Sequence, residues 1–331
     1  MKLTAHDPAA APTRIIDSHV HFVHLERIED ILALMDAAPC AAFNLVSLPN
    51  RDGTHQNNTA LTFKERHPDR VFACGALNYG VVLDDLTTAP ARLAEQVRSL
   101  RAQSFDGLKL IEGKPEVRKL LPHPLDGPLY APMWAAVEEM QLPAVVHIGD
   151  PDEFWDAERC PSWARQSGWD YSDGTYPTKE QLYAEIDHVL ARHPRLRIVF
   201  AHFYFLSRDL ERAARFLDAH PSVCFDLAPH MDMYTDFSED PSTTRDFFLT
   251  YQERILYGTD TDTRAIERGP DGVGLMRFIP RLIRAFLEHE GALDLSGSTR
   301  YRGLGLPRPA LEAIYHANFE RLFLQEVGHD L

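Results

Sequence analysis

The stretch Ile15-Ile16-Asp17-Ser18-His19-Val20-His21-Phe22 runs from an apolar, β-branched start into two histidines. Side chains alternate between faces along a strand, so His19 and His21, two residues apart, point the same way. Two imidazoles on one face at a strand end can hold one divalent ion, with Zn–N distances of about 2.0–2.1 Å. The same spacing also suits a pair of packed or surface histidines, so the rest of the chain has to decide between them.

Seven more runs resemble the first. Short, nearly continuous apolar segments recur at 42–48, 71–77, 107–111, 144–149, 197–203, 223–228 and 254–259, as expected of parallel strands buried on both faces. The intervening segments have helical spacing. Ile28, Ile31, Leu32 and Met35 fall at i, i+3, i+4 and i+7, and Leu210, Ala213, Ala214 and Leu217 repeat the pattern. Met133, Trp134, Val137 and Met140 suit another helix, and Leu311 to Phe323 a closing one. His67-Pro68, His193-Pro194 and His220-Pro221 are helix stops, because proline disfavours helical geometry at the residue before it. Those three histidines then belong to the non-catalytic face. Eight strand–helix alternations predict a closed (β/α)8 TIM barrel.

Two connections exceed ordinary loop length. Residues 150–178 hold Trp155, Trp163, Trp169, Tyr171 and Tyr176, and residues 261–308 include a helical stretch over 275–287. Both follow strands, which places them at the C-terminal mouth, where barrel loops build active sites. No linker or low-complexity segment interrupts the chain. The reading is one domain over 1–331, with 1–13 a loose leader that lacks the apolar core of a signal peptide.

The 331 residues carry 34 Lys and Arg against 49 Asp and Glu, a net charge of −15. That balance argues against a nucleic-acid partner, whose binding begins with phosphate neutralisation. It does not bar a small anionic substrate, since a cationic pocket can sit inside an acidic protein. Apolar runs such as 144–148 and 197–205 are far short of the ~20 residues of a membrane helix, so no membrane partner is expected. Cys40, Cys74, Cys160 and Cys224 form no Cys-x-x-Cys pair and no disulfide framework, consistent with a reducing cytoplasm.

The His-x-His gains weight from its counterparts. Ala144-Val145-Val146-His147 and Ile198-Val199-Phe200-Ala201-His202 each end an apolar run in an imidazole, and Ile255-Leu256-Tyr257-Gly258-Thr259-Asp260 ends in a carboxylate. A barrel gathers its strand ends around one mouth. Burying such groups without partners costs roughly 1–3 kcal/mol each, so five coincidences favour a shared metal site over packing. Weaker mouth candidates are Arg51 and Asn57 after strand two, Asp226 on strand seven, Trp155 as a pocket wall, and His230 with Asp232.

These motifs resemble the amidohydrolase superfamily: Asp-x-His-x-His on strand one, His on strands five and six, Gly-Thr-Asp on strand eight. The closing Leu306-Pro307, Ile314-Tyr315, Asn318 and Arg321-Leu322 are similar to the end of its amidohydrolase-2 branch, which holds hydrolases, lactonases and non-oxidative decarboxylases such as aminocarboxymuconate-semialdehyde decarboxylase. The resemblance implies one divalent ion on His19, His21, His147 and Asp260. Zn²⁺ is the first expectation, and Mn²⁺ or Fe²⁺ also fit mixed His/Asp donors. It further implies that Asp260 takes a proton from water and that His202 faces that water or the substrate. Superfamily relatives often form dimers or higher assemblies, so a homo-oligomer is open.

Lys109, in Gly107-Leu108-Lys109-Leu110 on strand four, has three readings: a pocket cation pairing with a substrate carboxylate or carbonyl, a carbamate bridging two metals, or a structural lysine. The leading functional expectation is hydrolysis of an ester, lactone or amide of a small, carboxylate-bearing molecule. The alternative is non-oxidative decarboxylation. Decarboxylases of the branch usually carry Ser-Asp-x-Pro-His-like residues at strand eight, whereas this chain has Gly258-Thr259-Asp260-Thr261-Asp262. That departure favours hydrolysis. A catalytically silent scaffold is the third reading, and a full ligand set at the mouth is not what a scaffold needs.

Overall fold

The computed structural model describes residues 14–22, 28–37, 40–49, 56–264, 269–295 and 298–324. Arg51 and the 1–13 leader lie outside the described residues. Nine parallel strands form one curled sheet: β1 (Ile16–His21), β2 (Ala42–Val46), β3 (Val71–Ala76), β4 (Gly107–Gly113), β5 (Ala144–Ile148), β6 (Ile198–Phe200), β7 (Val223–Asp226), β8 (Ile255–Leu256) and β9 (Thr261–Asp262). Their order is β8-β7-β6-β5-β4-β3-β2-β1-β9. The expected eighth strand is therefore split. β8 pairs with β7, β9 pairs with β1, and the bonds from Ser18 N to Tyr257 O and from Asp260 N to His19 O stitch the gap. The TIM-barrel expectation stands, closed through this interrupted strand. Gly258 permits the closure, because a Cβ there would come within 3.0 Å of Ser18 Oγ and 3.3 Å of His19 Cβ.

Helices cover the outside, among them Ile28–Ala37, Asn57–Arg66, Ala131–Glu139, Lys179–Arg192 and Leu210–Ala219. His67, His193 and His220 are each the residue that ends a helix, as the His-Pro pairs predict. Inside the barrel, Ile16, Val46, Cys74, Val145, Val199, Cys224 and Leu256 form one apolar cluster, closed by Phe319, Leu322 and Phe323 of the terminal helical segment. All four cysteines are free and buried. No helix among the described residues is long and apolar enough to cross a membrane.

β1 breaks strict alternation. Ile16 packs in the interior cluster, whereas Val20, four residues on, packs in the outer one with the helices. The register shifts between Asp17 and Val20. Such irregularities re-aim side chains beside active sites. This one leaves His19 and His21, on either side of Val20, to meet at the mouth.

Both long connections carry structure. Residues 150–178 contain short helices at Asp152–Trp155 and Ser162–Gln166. The second contains a helix, Pro270–Glu288, and an antiparallel hairpin, β10 (Glu290–Leu295) with β11 (Ser298–Leu304), which the sequence reading does not anticipate.

Candidate metal centre and active site

His19 Nε2 lies 3.2 Å from His21 Nε2, and Asp260 Oδ1 lies 3.1 Å from His21 Nε2 and 3.6 Å from His19 Nε2. The other ring nitrogens fix the tautomers. His19 Nδ1–H donates to Asp226 Oδ2 at 2.8 Å, and His21 Nδ1–H donates to the Val46 carbonyl at 3.1 Å. In the neutral rings both Nε2 atoms therefore carry lone pairs. Burial, the strongest influence, and the nearby Lys109 charge hold His19 well below the ordinary imidazole pKa, so it is neutral. Two imidazole nitrogens and a carboxylate oxygen thus converge on one point. Such a set fits a divalent cation, and second-shell partners on Nδ1 are the usual way proteins orient ligating histidines. Among the described residues, these three are the group whose donor atoms come within 4.8 Å of one another.

Asp260 owes its position to backbone and side-chain bonds around β1. Its φ of +52° is left-handed, and its N–H donates to His19 O. Beneath it, Asp17 Oδ1 accepts from Thr259 N at 3.0 Å and His19 N at 3.2 Å, while Oδ2 accepts from Thr259 Oγ1 at 2.6 Å. Burial raises the Asp17 carboxyl to about 7 against those bonds. Burial also opposes ionisation of Asp260, yet the His21 bond and the histidines around it hold its carboxyl well below the usual range. Its side chain is 35% exposed.

His202 is not on a strand. The apolar 197–203 run predicts β6 through it, but the strand ends at Phe200, and His202, Phe203, Tyr204 and Phe205 all adopt positive φ of 52–59°. A left-handed turn of non-glycine residues costs roughly 1–2 kcal/mol per residue. Packing holds it: Phe203 packs among Phe225, Phe237 and Phe248, Tyr183 Oη donates to Tyr204 O at 2.6 Å, and Asp226 Oδ1 accepts from His202 N at 2.8 Å. His202 Nδ1–H donates to Ala228 O at 3.2 Å, leaving Nε2 an acceptor. Burial lowers its pKa to about 4.

His147, the expected fourth ligand, does not join the trio. Its Nε2–H donates to Gly149 O at 2.9 Å and lies 3.3 Å from Asp150 Oδ1. Its ring sits 4.9 Å from that of His202, which is 5.6 Å from that of His19. Lys109 is buried, with Nζ 3.1 Å from His19 Nε2. Burial lowers its pKa to about 8, opposed by the charges of Asp260 and Asp226.

A cavity of about 570 Å³ opens above this end of the barrel, lined by Asp260, His147 and His202 and walled by both long connections. Lys109 does not line it. Nor does Trp155, whose Nε1–H donates to Pro177 O at 3.0 Å and whose ring packs on Tyr171; Trp163 and Trp169 line the cavity instead. His230 lines it, and Asp232 does not. Asn57 has a backbone role, pairing with Ala76 N and O at 2.8 and 2.9 Å. The residue that sequence reading undervalues is Asp226: a lone acid in a buried strand was its signal.

The fold is an α/β barrel, and its converging donors form a group that could hold a metal ion. A family model, Amidohydro_2 (Amidohydrolase), matches residues 16–324, and the chain belongs to that family. No match was found among curated proteins. Among solved structures, a TIM-barrel protein from Bordetella bronchiseptica is 15% identical, with 93% of this chain and 98% of that one covered at a TM-score of 0.59. A 2,6-dihydroxybenzoate decarboxylase from Rhizobium is 17% identical, covering 94% and 99% at 0.56. A 4-oxalomesaconate hydratase from Rhodopseudomonas palustris is 14% identical, covering 93% and 95% at 0.54. These likenesses establish the fold.

Proposed function

We propose that the chain is a hydrolase that opens an ester, lactone or amide of a small carboxylate-bearing molecule with water, using one divalent ion held by His19, His21 and Asp260. The observation that carries this is the convergence of two imidazole lone pairs and an ionised carboxylate, 3.1–3.6 Å apart. A mixed His/Asp set suits Zn²⁺ first, with Mn²⁺ or Fe²⁺ as fitting substitutes. When bound, such an ion makes water acidic enough to ionise near neutral pH and polarises a carbonyl.

The residues supply the rest. Asp260 reaches both the donor trio and the cavity, so its carboxylate can take a proton from water and pass it to the leaving oxygen or nitrogen. His202 presents an acceptor Nε2 to the same cavity, suited to orient the attacking water. Hydrolysis begins with removal of a proton, which two acceptors serve. Decarboxylation instead ends by placing a proton on carbon, and Gly258-Thr259-Asp260-Thr261-Asp262 departs from the Ser-Asp-x-Pro-His-like residues that decarboxylases of the branch usually carry.

The test offers the metal-replete protein a panel of lactones and esters beside aromatic and unsaturated carboxylic acids. Acid release from the first group in a pH-stat, lost in Asp260→Asn, supports the reading. CO₂ from the second, with no acid from the first, overturns it.

A further inference from the structure

The cavity is well within the ~300–1,000 Å³ range of sites that enclose a drug-sized ligand. It is lined by both polar and aromatic groups. Asp260, His147 and His202 gather at the barrel end, while Phe154, Trp163, Trp169, Phe205 and Phe278 build apolar walls. Trp163 is 47% exposed and Leu275 is 50% exposed, and both line this cavity. Large apolar side chains left open at a pocket mouth mark a surface that a ligand covers.

Two cations line the same space. Lys114 is neutralised, with Nζ 2.9 Å from Asp150 Oδ2 and stacked 4.2 Å from the Trp169 ring centre. Arg300, exposed on the β10–β11 hairpin, is not: it forms no ion pair among the described residues, and its hydrogen-bond partner is its neighbour Tyr301, whose Oη accepts from Nη2 at 2.5 Å. The guanidinium rests 4.7 Å from that tyrosine ring, which restrains it. A single braced guanidinium matches the fork of one carboxylate, whereas phosphate sites gather several donors.

We infer that the ligand of this site is an apolar, aryl- or alkyl-rich carboxylate, its body on the aromatic walls and its carboxylate on Arg300. Placing the bond to be broken at the Asp260 end rests on the hydrolytic reading; the binding mode does not. This also moves the substrate-anion role from buried Lys109 to the hairpin.

The experiment reads binding without turnover. Quenching of Trp163 and Trp169 fluorescence is titrated with 8-phenyloctanoate and with neutral 8-phenyloctanamide, on metal-loaded and chelator-stripped protein. The carboxylate is expected to bind at least about tenfold tighter than the amide in both forms, and Arg300→Met to erase the difference while sparing amide binding. Arg300→Lys should retain part of it. No quenching by either ligand, a preference that survives Arg300→Met, or a preference that vanishes only on metal removal would each overturn the proposal. Because no product is measured, its failure is distinct from failure of the hydrolytic reading.

Discussion

Asp226 holds His19 by its ring and His202 by its backbone: Oδ2 accepts from His19 Nδ1 at 2.8 Å, and Oδ1 accepts from His202 N at 2.8 Å. One buried carboxylate on β7 thus orients a ring of the donor trio on β1 and anchors the left-handed turn after β6. Asp226→Asn keeps the shape and weakens the acceptor. The expected loss is about 10–100-fold in metal affinity, measured by competition with a chromophoric chelator. Unchanged affinity would show that the bond does not orient His19.

His21 and His147 separate by metal binding. Only His21 belongs to the trio, so His21→Ala should strip the ion, while His147→Ala should retain about one per chain at a weaker Kd. Equal losses would put His147 in the coordination shell.

His202→Ala should keep the metal and lose about 10²–10⁴-fold in kcat, the range expected for a removed proton-handling group. Elemental analysis beside the pH-stat assay reads both. Full activity in this variant would remove His202 from the chemistry.

Lys109→Met should leave one ion bound, because the lysine abuts His19 without supplying a converging lone pair while it holds its proton. Loss of metal, or a wild-type content near two ions, would support the carbamate reading.

Glu112, buried on β4 with Oε1 unpartnered, gives a stability prediction away from the site. Burial raises its carboxyl to about 8 from the ordinary 4.5. The fold therefore binds this proton more tightly than the unfolded chain. The stabilisation is full below about 4.5 and is lost as pH rises through about 8. Glu112→Gln should accordingly flatten the fall of Tm between pH 5 and 8 and exceed the wild type at pH 8.5. Parallel Tm profiles for the two proteins would contradict this.

The strand ends were legible because parallel strands buried on both faces read as apolar runs, and a histidine or aspartate closing such a run stands out, as His19, His147 and Asp260 do. The turn at His202–Phe205 was not. No glycine marks it, and Phe203, Tyr204 and Phe205 read as more strand, since tertiary packing rather than local preference holds their backbone. The β10–β11 hairpin was missed because only Leu293 and Leu295 alternate inward in its first strand, too short a pattern to separate from loop. Trp155 and Trp163 could not be told apart as pocket wall, because which ring faces inward depends on how the 150–178 segment folds back on itself.

The most direct measurement is calorimetric titration of Zn²⁺ into chelator-stripped wild type, His19→Ala, His21→Ala and Asp260→Ala. Binding of about one ion per wild-type chain, abolished or reduced by orders of magnitude in each variant, is the expected result. Wild-type protein that takes up no ion at saturating supply, or variants that bind as the wild type does, would contradict the shared centre.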